Sequence, residues 1–191
     1  MKGINIFLAD GFEDMEALAT CDVLRRAGLQ VELVSIKSDT AVTSSHGVDV
    51  DAEWVLEDME TVTAGVSEAD VMIFPGGMPG SKSLASCKKL IQAMKAHYKA
   101  GGTLAAICAA PGLVLSQLDD VKGLEFTCFD GFEQPLVDKG AVFTPSPAVR
   151  SGRIITGRSA GHAVAFALKI VEALVPDRLE EVRHSLFLET E

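Results

Sequence analysis

The 191-residue chain lacks several features that mark whole classes of protein. It has no run of the ~18 apolar residues that a membrane-spanning helix requires. Its apolar start, INIFLA, is shorter than the core of a signal peptide. Neither glycine-rich phosphate-binding pattern, G-x-G-x-x-G or G-x-x-x-x-G-K-[ST], occurs in it. We therefore expect a cytoplasmic protein with no membrane partner and no nucleotide site.

Paired cysteines and an excess of positive charge are also missing. The chain has 17 Lys and Arg against 27 Asp and Glu, a net charge of -10. This balance disfavours nucleic acid as a partner, because neutralising phosphates needs a basic patch. No C-x-x-C pair indicates zinc or a dithiol site, so we expect no metal and a reducing compartment. The four cysteines are Cys21, Cys87, Cys108 and Cys128.

Short apolar runs alternate with longer amphipathic segments along the chain. This alternation is typical of an α/β fold whose mostly parallel central sheet is covered on both faces. Neither a repeat nor a linker-like tract divides the sequence, so we expect a single domain over residues 1–191. The pattern predicts strands at INIFLA, 31–35, DVMIF, TLAAI and GRIIT, helices over 15–27 and 88–100 and from residue 109, a hairpin within 40–52, an irregular region over 123–153, an apolar helix at HAVAFALKIVEAL, and a charged helix after residue 176.

Cys108 follows the strand TLAAI where the pattern turns helical. A thiol at a helix start can lose its proton more easily, because unpaired N–H groups and the helix dipole favour the thiolate. Cysteine is also one of the most frequently buried residue types, so Cys108 can equally be a small core residue. Parallel sheets bind ligands at the carboxyl ends of their strands, which is where this position lies.

Three further loops are expected at the same edge of the sheet, and each carries polar or glycine residues. In ADGFEDMEA, Asp14 and Glu13 are suited to capping a helix, whereas Glu16 lies deeper beside the apolar face. Crowding and burial there would raise the pKa of Glu16, so that its carboxyl stays protonated near neutrality. The protonated carboxyl could then donate a hydrogen bond to a thiolate. The glycines of PGGMPG either make a turn or direct N–H groups at an oxyanion. His162, in the loop GRSAGH, can reach the site or simply begin a helix.

The sequence contains three notable motifs: PGG at 75–77, AAICAAP at 105–111 and GFEDMEA at 11–17. Their order and spacing resemble those of the ThiJ/PfpI superfamily. The resemblance covers nearly the whole chain and is strongest to the DJ-one-type branch. It implies a flavodoxin-like, three-layer α/β sandwich, usually a homodimer. It also implies a reactive cysteine on a strained strand-to-helix elbow.

Carried onto this chain, the resemblance makes Cys108 the reactive cysteine and Glu16 its protonated partner. Gly77 and Ala109 would supply backbone N–H groups to an oxyanion, and Gly76 would shape that turn. Glu13 and Arg158 match further residues near the pocket of the family.

The chain departs from the family pattern in three places. Phe129 replaces a histidine near the cysteine, and His46 replaces a loop arginine. The segment 159–161 replaces a Gly-Pro-Gly, which weakens any anion-binding role there. Ala109 stands where the peptidase branch has histidine, so we do not expect a peptidase.

The resemblance implies a cysteine-dependent glyoxalase or deglycase that needs neither glutathione nor a cofactor. Its substrates would be methylglyoxal, glyoxal or their early adducts on protein and nucleotides. The alternative is an oxidative-stress sensor or holdase chaperone with an oxidisable Cys108. A third hypothesis is an amidotransferase-like hydrolase in which His162 serves Cys108 as base.

Overall fold

A seven-stranded sheet forms the centre of the computed structural model, which describes residues 1–188. The strands are β1 (Ile4–Leu8), β2 (Val31–Ser35), β3 (Ala41–Thr43), β4 (Asp49–Asp51), β5 (Trp54–Val55), β6 (Val71–Phe74), β7 (Thr103–Ile107), β8 (Glu125–Phe126), β9 (Val142–Phe143), β10 (Ala148–Ser151) and β11 (Ile154–Gly157). The helices are α1 (Asp14–Arg26), α2 (Gly80–Ser86), α3 (Lys88–Lys99), α4 (Ala110–Leu113), α5 (Gln134–Val137), α6 (Ala163–Leu174) and α7 (Leu179–Ser185).

The strands of the large sheet follow the order β10-β11-β7-β6-β1-β2-β5. The pair β10 and β11 is antiparallel, and the other neighbouring pairs in this sheet are parallel. Every residue of β1 and of β7 is buried, as expected for central parallel strands covered on both faces. The predicted mostly parallel α/β sheet is confirmed.

Two apolar layers cover the sheet, because alternate residues of each strand point to opposite faces. On β1, Phe7 packs with Leu90 and Met94 of α3 in one core. Ile6 of β1 belongs to the other core, with Phe166 of α6. Helices α1 and α6 pack against each other on this second face. The fold is therefore the expected flavodoxin-like, three-layer sandwich.

Most predicted elements are present within one or two residues, including the hairpin, formed by β3 and β4. The helix predicted from residue 109 is short, since α4 has four residues and a 3-10 turn follows at Leu115–Gln117. The sequence analysis missed α2 and the edge strands β5 and β10, and the region 123–153 holds more structure than expected. Within residues 1–188, no helix is long and apolar enough to span a bilayer.

Candidate active site

Cys108 forms a strained elbow between β7 and α4. Its φ is 65°, a left-handed conformation that costs a residue with a side chain on the order of 1–3 kcal/mol. Two backbone hydrogen bonds hold it there: the N–H of Cys108 donates to the Gly157 carbonyl at 3.0 Å, and its carbonyl accepts from the Phe129 N–H at 2.8 Å. The elbow expected from the family resemblance is therefore present, anchored by β11 on one side and residue 129 on the other.

Gly76 lies between the Cys108 thiol and the Glu16 carboxyl. Its N–H donates to Oε2 of Glu16 at 2.7 Å. A Cβ built on Gly76 would lie 2.5 Å from Cβ of Cys108 and 2.9 Å from its Sγ, and would also overlap Oε2 of Glu16. The thiol and the carboxyl can face each other only because residue 76 has no side chain.

The first turn of α1 holds Glu16 in place. Glu13 caps the helix, its Oε2 accepting a hydrogen bond of 2.8 Å from the Glu16 N–H. The N–H of Glu13 donates to the Gly76 carbonyl at 3.1 Å, which ties α1 to the glycine turn. Glu16 itself is 1% exposed. The predicted capping role of Glu13 is thus confirmed, and Glu16 lies deeper, as expected.

The charges of Glu16 and Cys108 depend on each other. Burial raises the pKa of Glu16 to about 7, against the opposing effects of the Cys108 thiol and the Gly76 N–H. Burial, with the charge and hydrogen bond of Glu16, raises the pKa of Cys108 to about 12. Between these values the two groups share one proton, as thiol with carboxylate or as thiolate with carboxylic acid.

This result confirms the predicted rise in the pKa of Glu16 and corrects the prediction for Cys108. The pKa of the thiol is raised, not lowered, because burial disfavours its charged form and the nearest charge, on Glu16, is negative. The backbone N–H groups of Ala109 and Gly77 do hydrogen-bond the sulfur and favour its thiolate, but they are outweighed. The two N–H groups named by the family resemblance therefore reach the sulfur of Cys108.

A second polar group adjoins the start of α1. Nδ1 of His46 lies 2.6 Å from Oδ2 of Asp14, and the Ser44 hydroxyl donates to Oδ1 of Asp14 at 2.5 Å. The hydrogen bond to Asp14 raises the pKa of His46. Ligand atoms of Glu13, Asp14 and His46 lie within 4.8 Å of one another. These contacts hold the β3–β4 hairpin against the helix that carries Glu16.

Arg158 and His162 have partners other than the thiol. The Arg158 guanidinium donates to Oδ1 of Asp130 at 2.6 Å. Nδ1 of His162 lies 3.0 Å from the Ser159 hydroxyl, and within residues 1–188 no hydrogen bond joins His162 to Cys108. The arrangement gives Cys108 a carboxyl partner, which disfavours the amidotransferase-like hypothesis.

Comparison with known proteins places this geometry in a family. The family model described as the DJ-1/PfpI family matches residues 2–173. The chain belongs to the DJ-1/PfpI family. Protein dj-1beta of Drosophila melanogaster is 32% identical over 188 residues, which cover 98% of this chain and 97% of that protein.

Other members of the DJ-1/PfpI family are similar over most of the chain. The glutathione-independent glyoxalase DJR-1.2 of Caenorhabditis elegans is 35% identical over 162 residues, 85% of this chain and 82% of that protein. The solved structure of oxidized Toxoplasma gondii DJ-1 is 26% identical, with a TM-score of 0.87 over all of both chains. The chain spans about half, 47%, of the length of Protein DJ-1 homolog A of Arabidopsis thaliana.

The sequence analysis did not identify Gly157 and Phe129 as the anchors of the elbow. Gly157 ends the strand next to β7, and a Cβ there would lie 2.8 Å from Ile107 and 2.9 Å from Phe166. A glycine at the end of an apolar strand is a sequence signal for such close packing. Phe129 holds the elbow through its backbone N–H, a group that does not depend on the side chain. The residue type at position 129 therefore could not reveal this role.

Proposed function

We propose that this chain is a cysteine-dependent, cofactor-free glyoxalase and deglycase. Its substrates are α-oxoaldehydes such as methylglyoxal and glyoxal, and their early adducts on protein and nucleotides. The proposal depends on one observation: the Cys108 thiol is hydrogen-bonded to the buried Glu16 carboxyl while two backbone N–H groups point at its sulfur. The similarity to a relative named as a glutathione-independent glyoxalase supports it.

The first step forms a bond between sulfur and the aldehyde carbon. As Sγ of Cys108 attacks, the Glu16 carboxylate takes the thiol proton and the carbonyl oxygen becomes an oxyanion. The N–H groups of Gly77 and Ala109 stabilise this oxyanion. The oxyanion then takes the proton from Glu16 to give a hemithioacetal, which leaves Glu16 as a carboxylate for the next step.

The second step moves hydrogen between the two carbons of the substrate. Glu16 removes the proton from the former aldehyde carbon, giving an enediolate, and returns a proton to the neighbouring carbon. The product is a thioester of Cys108 with lactic acid. Water then breaks the thioester, releasing lactate and restoring the thiol, so the net reaction is methylglyoxal plus water to lactic acid. A carboxyl whose pKa is about 7 is suited to both directions of proton transfer at neutral pH.

The same thiol can act on an early adduct, in which a protein amine is bonded to the aldehyde-derived carbon. Attack by Sγ of Cys108 at that carbon displaces the amine, which leaves with a proton. The intermediate is the same hemithioacetal, so the later steps do not change. Cys108 is half-buried rather than fully buried, as attack on an adduct presented by another protein requires.

The decisive experiment measures methylglyoxal consumption and lactate formation in an amine-free buffer. We expect repeated turnover by the natural chain and none by Cys108→Ser. Cys87→Ser is the matched control, because Cys87 is also half-buried but lies between α2 and α3. Equal consumption by the natural chain and Cys108→Ser, or no turnover by either, would refute the proposal.

The second candidate function is an oxidative-stress sensor or holdase chaperone. The similarity to a DJ-1 structure solved in an oxidized form favours it. Peroxide would convert the Cys108 thiolate to a sulfinate in two oxygen transfers, each releasing water. Intact-mass and peptide analysis after mild peroxide treatment should then show two added oxygens on Cys108 alone. Clean oxidation without lactate formation would favour this function over the first.

We also propose that the protein is a homodimer, formed through the surface around Asp14. Met15 and Val48 are 55% and 45% exposed there. They lie on adjoining elements, since the Val48 N–H donates to the Ser44 hydroxyl that bonds Asp14. Light scattering should give twice the mass of the chain, and Met15→Lys should shift it toward a monomer.

The state of the cysteines supports a cytoplasmic location for this proposed activity. All four are free thiols, and two of them, Cys21 and Cys128, are buried. Unpaired cysteines are typical of compartments kept reducing.

A further inference from the structure

A segment following β8 covers the backbone of the Cys108 elbow. We call residues 127–133 the cap. The Thr127 N–H donates to the Thr156 hydroxyl at 2.9 Å, and the Phe129 N–H donates to the Cys108 carbonyl at 2.8 Å. Gly112 of α4 packs on Phe132, where an added Cβ would overlap the Phe132 carbonyl group. The cap therefore contacts both the elbow and the helix that follows it.

One ion pair joins the cap to the residue that follows β11. The Arg158 guanidinium donates to Asp130 at 2.6 Å, and its central carbon lies 5.8 Å from the centre of the Phe143 ring. The side chain of Arg158 is 25% exposed and that of Asp130 is 77% exposed. The partly buried Arg158 guanidinium thus binds the exposed carboxylate of Asp130 on the surface of the cap.

The two members of this pair are the chain neighbours of the two anchors of Cys108. Arg158 follows Gly157, whose carbonyl accepts from the Cys108 N–H. Asp130 follows Phe129, whose N–H donates to the Cys108 carbonyl. The ion pair between Arg158 and Asp130 therefore keeps both anchors in contact with the backbone of Cys108.

We propose that Arg158 and Asp130 are positioning residues that hold Cys108 in its left-handed conformation. A φ of 65° at a cysteine persists only where its surroundings impose it. Without the ion pair, the cap can move away from the elbow, and the sulfur moves off the N–H groups of Ala109 and Gly77. The inference rests on Cys108 being the reactive group of the proposed function, but not on its substrate.

The test is the second-order rate of Cys108 alkylation by iodoacetamide between pH 6 and 10, followed by peptide mass analysis. We expect R158Q and D130N to lower the rate roughly twofold to fivefold, the range that one exposed ion pair supports. Both should shift the pH profile of the rate. The double variant should be no slower than either single variant, and R158K, which keeps the charge, should recover most of the rate.

The matched control is K95Q, which breaks the exposed ion pair between Lys95 and Asp119 far from the elbow. K95Q should have the same alkylation rate and the same pH profile as the natural chain. Asp130 is exposed enough that D130N will fold, and a melting curve of each variant checks this. Unchanged alkylation in both R158Q and D130N, or a rate that falls in K95Q as well, would overturn the inference. Alkylation needs no oxoaldehyde, so a failed glyoxalase assay would leave this result standing.

Discussion

Replacing Gly76 by alanine tests whether the contact between thiol and carboxyl is the basis of the chemistry. The backbone of Gly76 is outside the left-handed region, so alanine is allowed there and the perturbation is purely steric. The new methyl group would lie 2.5 Å from Cβ of Cys108 and 2.9 Å from Sγ. Real Cβ contacts are essentially never this close, so the thiol and the Glu16 carboxyl must move apart.

The expected cost has two parts. Forcing a methyl group into a packed site lowers the free energy of unfolding by about 1–3 kcal/mol. For a chain of this size each kcal/mol lowers Tm by about 2–4 °C, so the melting temperature should fall by ~2–12 °C. Displacing reacting groups by about 1 Å reduces turnover on the order of 100-fold. Activity should therefore fall far more than stability.

The assays are thermal melting and lactate formation from methylglyoxal, each compared with Gly161→Ala. Gly161 also lies outside the left-handed region, and a Cβ there meets no atom within 4 Å. The control should melt and turn over like the natural chain. Full turnover by Gly76→Ala would show that the close approach of thiol and carboxyl is not required, and the proposed proton exchange would be wrong.

Three further predictions concern Glu16, His97 and Phe166. The pKa of Glu16 rises from 4.5 to about 7 on folding, so the native chain should lose stability as pH rises from 4.5 to 7. In Glu16→Gln, urea unfolding should lack this slope and lactate formation should stop. Burial lowers the pKa of His97 below its ordinary 6.5, so the native chain should lose stability as pH falls below 6.5. In His97→Gln, the free energy of unfolding should decline less steeply over that range. Phe166→Ala should cost about 3–5 kcal/mol in unfolding free energy, because Phe166 is fully buried.

The central elements of the fold could be predicted because their sequence pattern matches their burial. The strands β1 and β7 are buried throughout and apolar except for Asn5 and Thr103, and α6 shows a helical apolar face. In contrast, α2 has the sequence GSKSLAS, whose small polar residues carry no apolar period. The strand β10 is half exposed at the sheet edge, and it is defined by pairing with β11 more than by its own residues.

The residues of the site could be predicted from their positions and from the family resemblance, but the pKa of the Cys108 thiol could not. Cys108 and Glu16 each follow a strand that ends at the same edge of the sheet. The rise in the thiol pKa depends on how deeply Cys108 is buried and on how close the Glu16 charge lies, and only the folded backbone determines both. The role of Gly76 likewise follows from its separation from two side chains distant in sequence.

Main-chain groups from Gly77 and Ala109, with a single carboxyl, surround the Cys108 sulfur. A substitution at Ala109 alters a side chain but leaves the N–H in place, and a Cβ at Gly77, whose φ is 88°, would overlap the backbone of Glu13. Evolution therefore has little freedom to retune the reaction at these positions. The more exposed neighbours Met78 and Phe129 differ, since each directs a side chain outward next to a group that contacts the elbow. Laboratory selection for bulkier or charged aldehydes should therefore accumulate changes at 78 and 129 and leave the sulfur's surroundings intact.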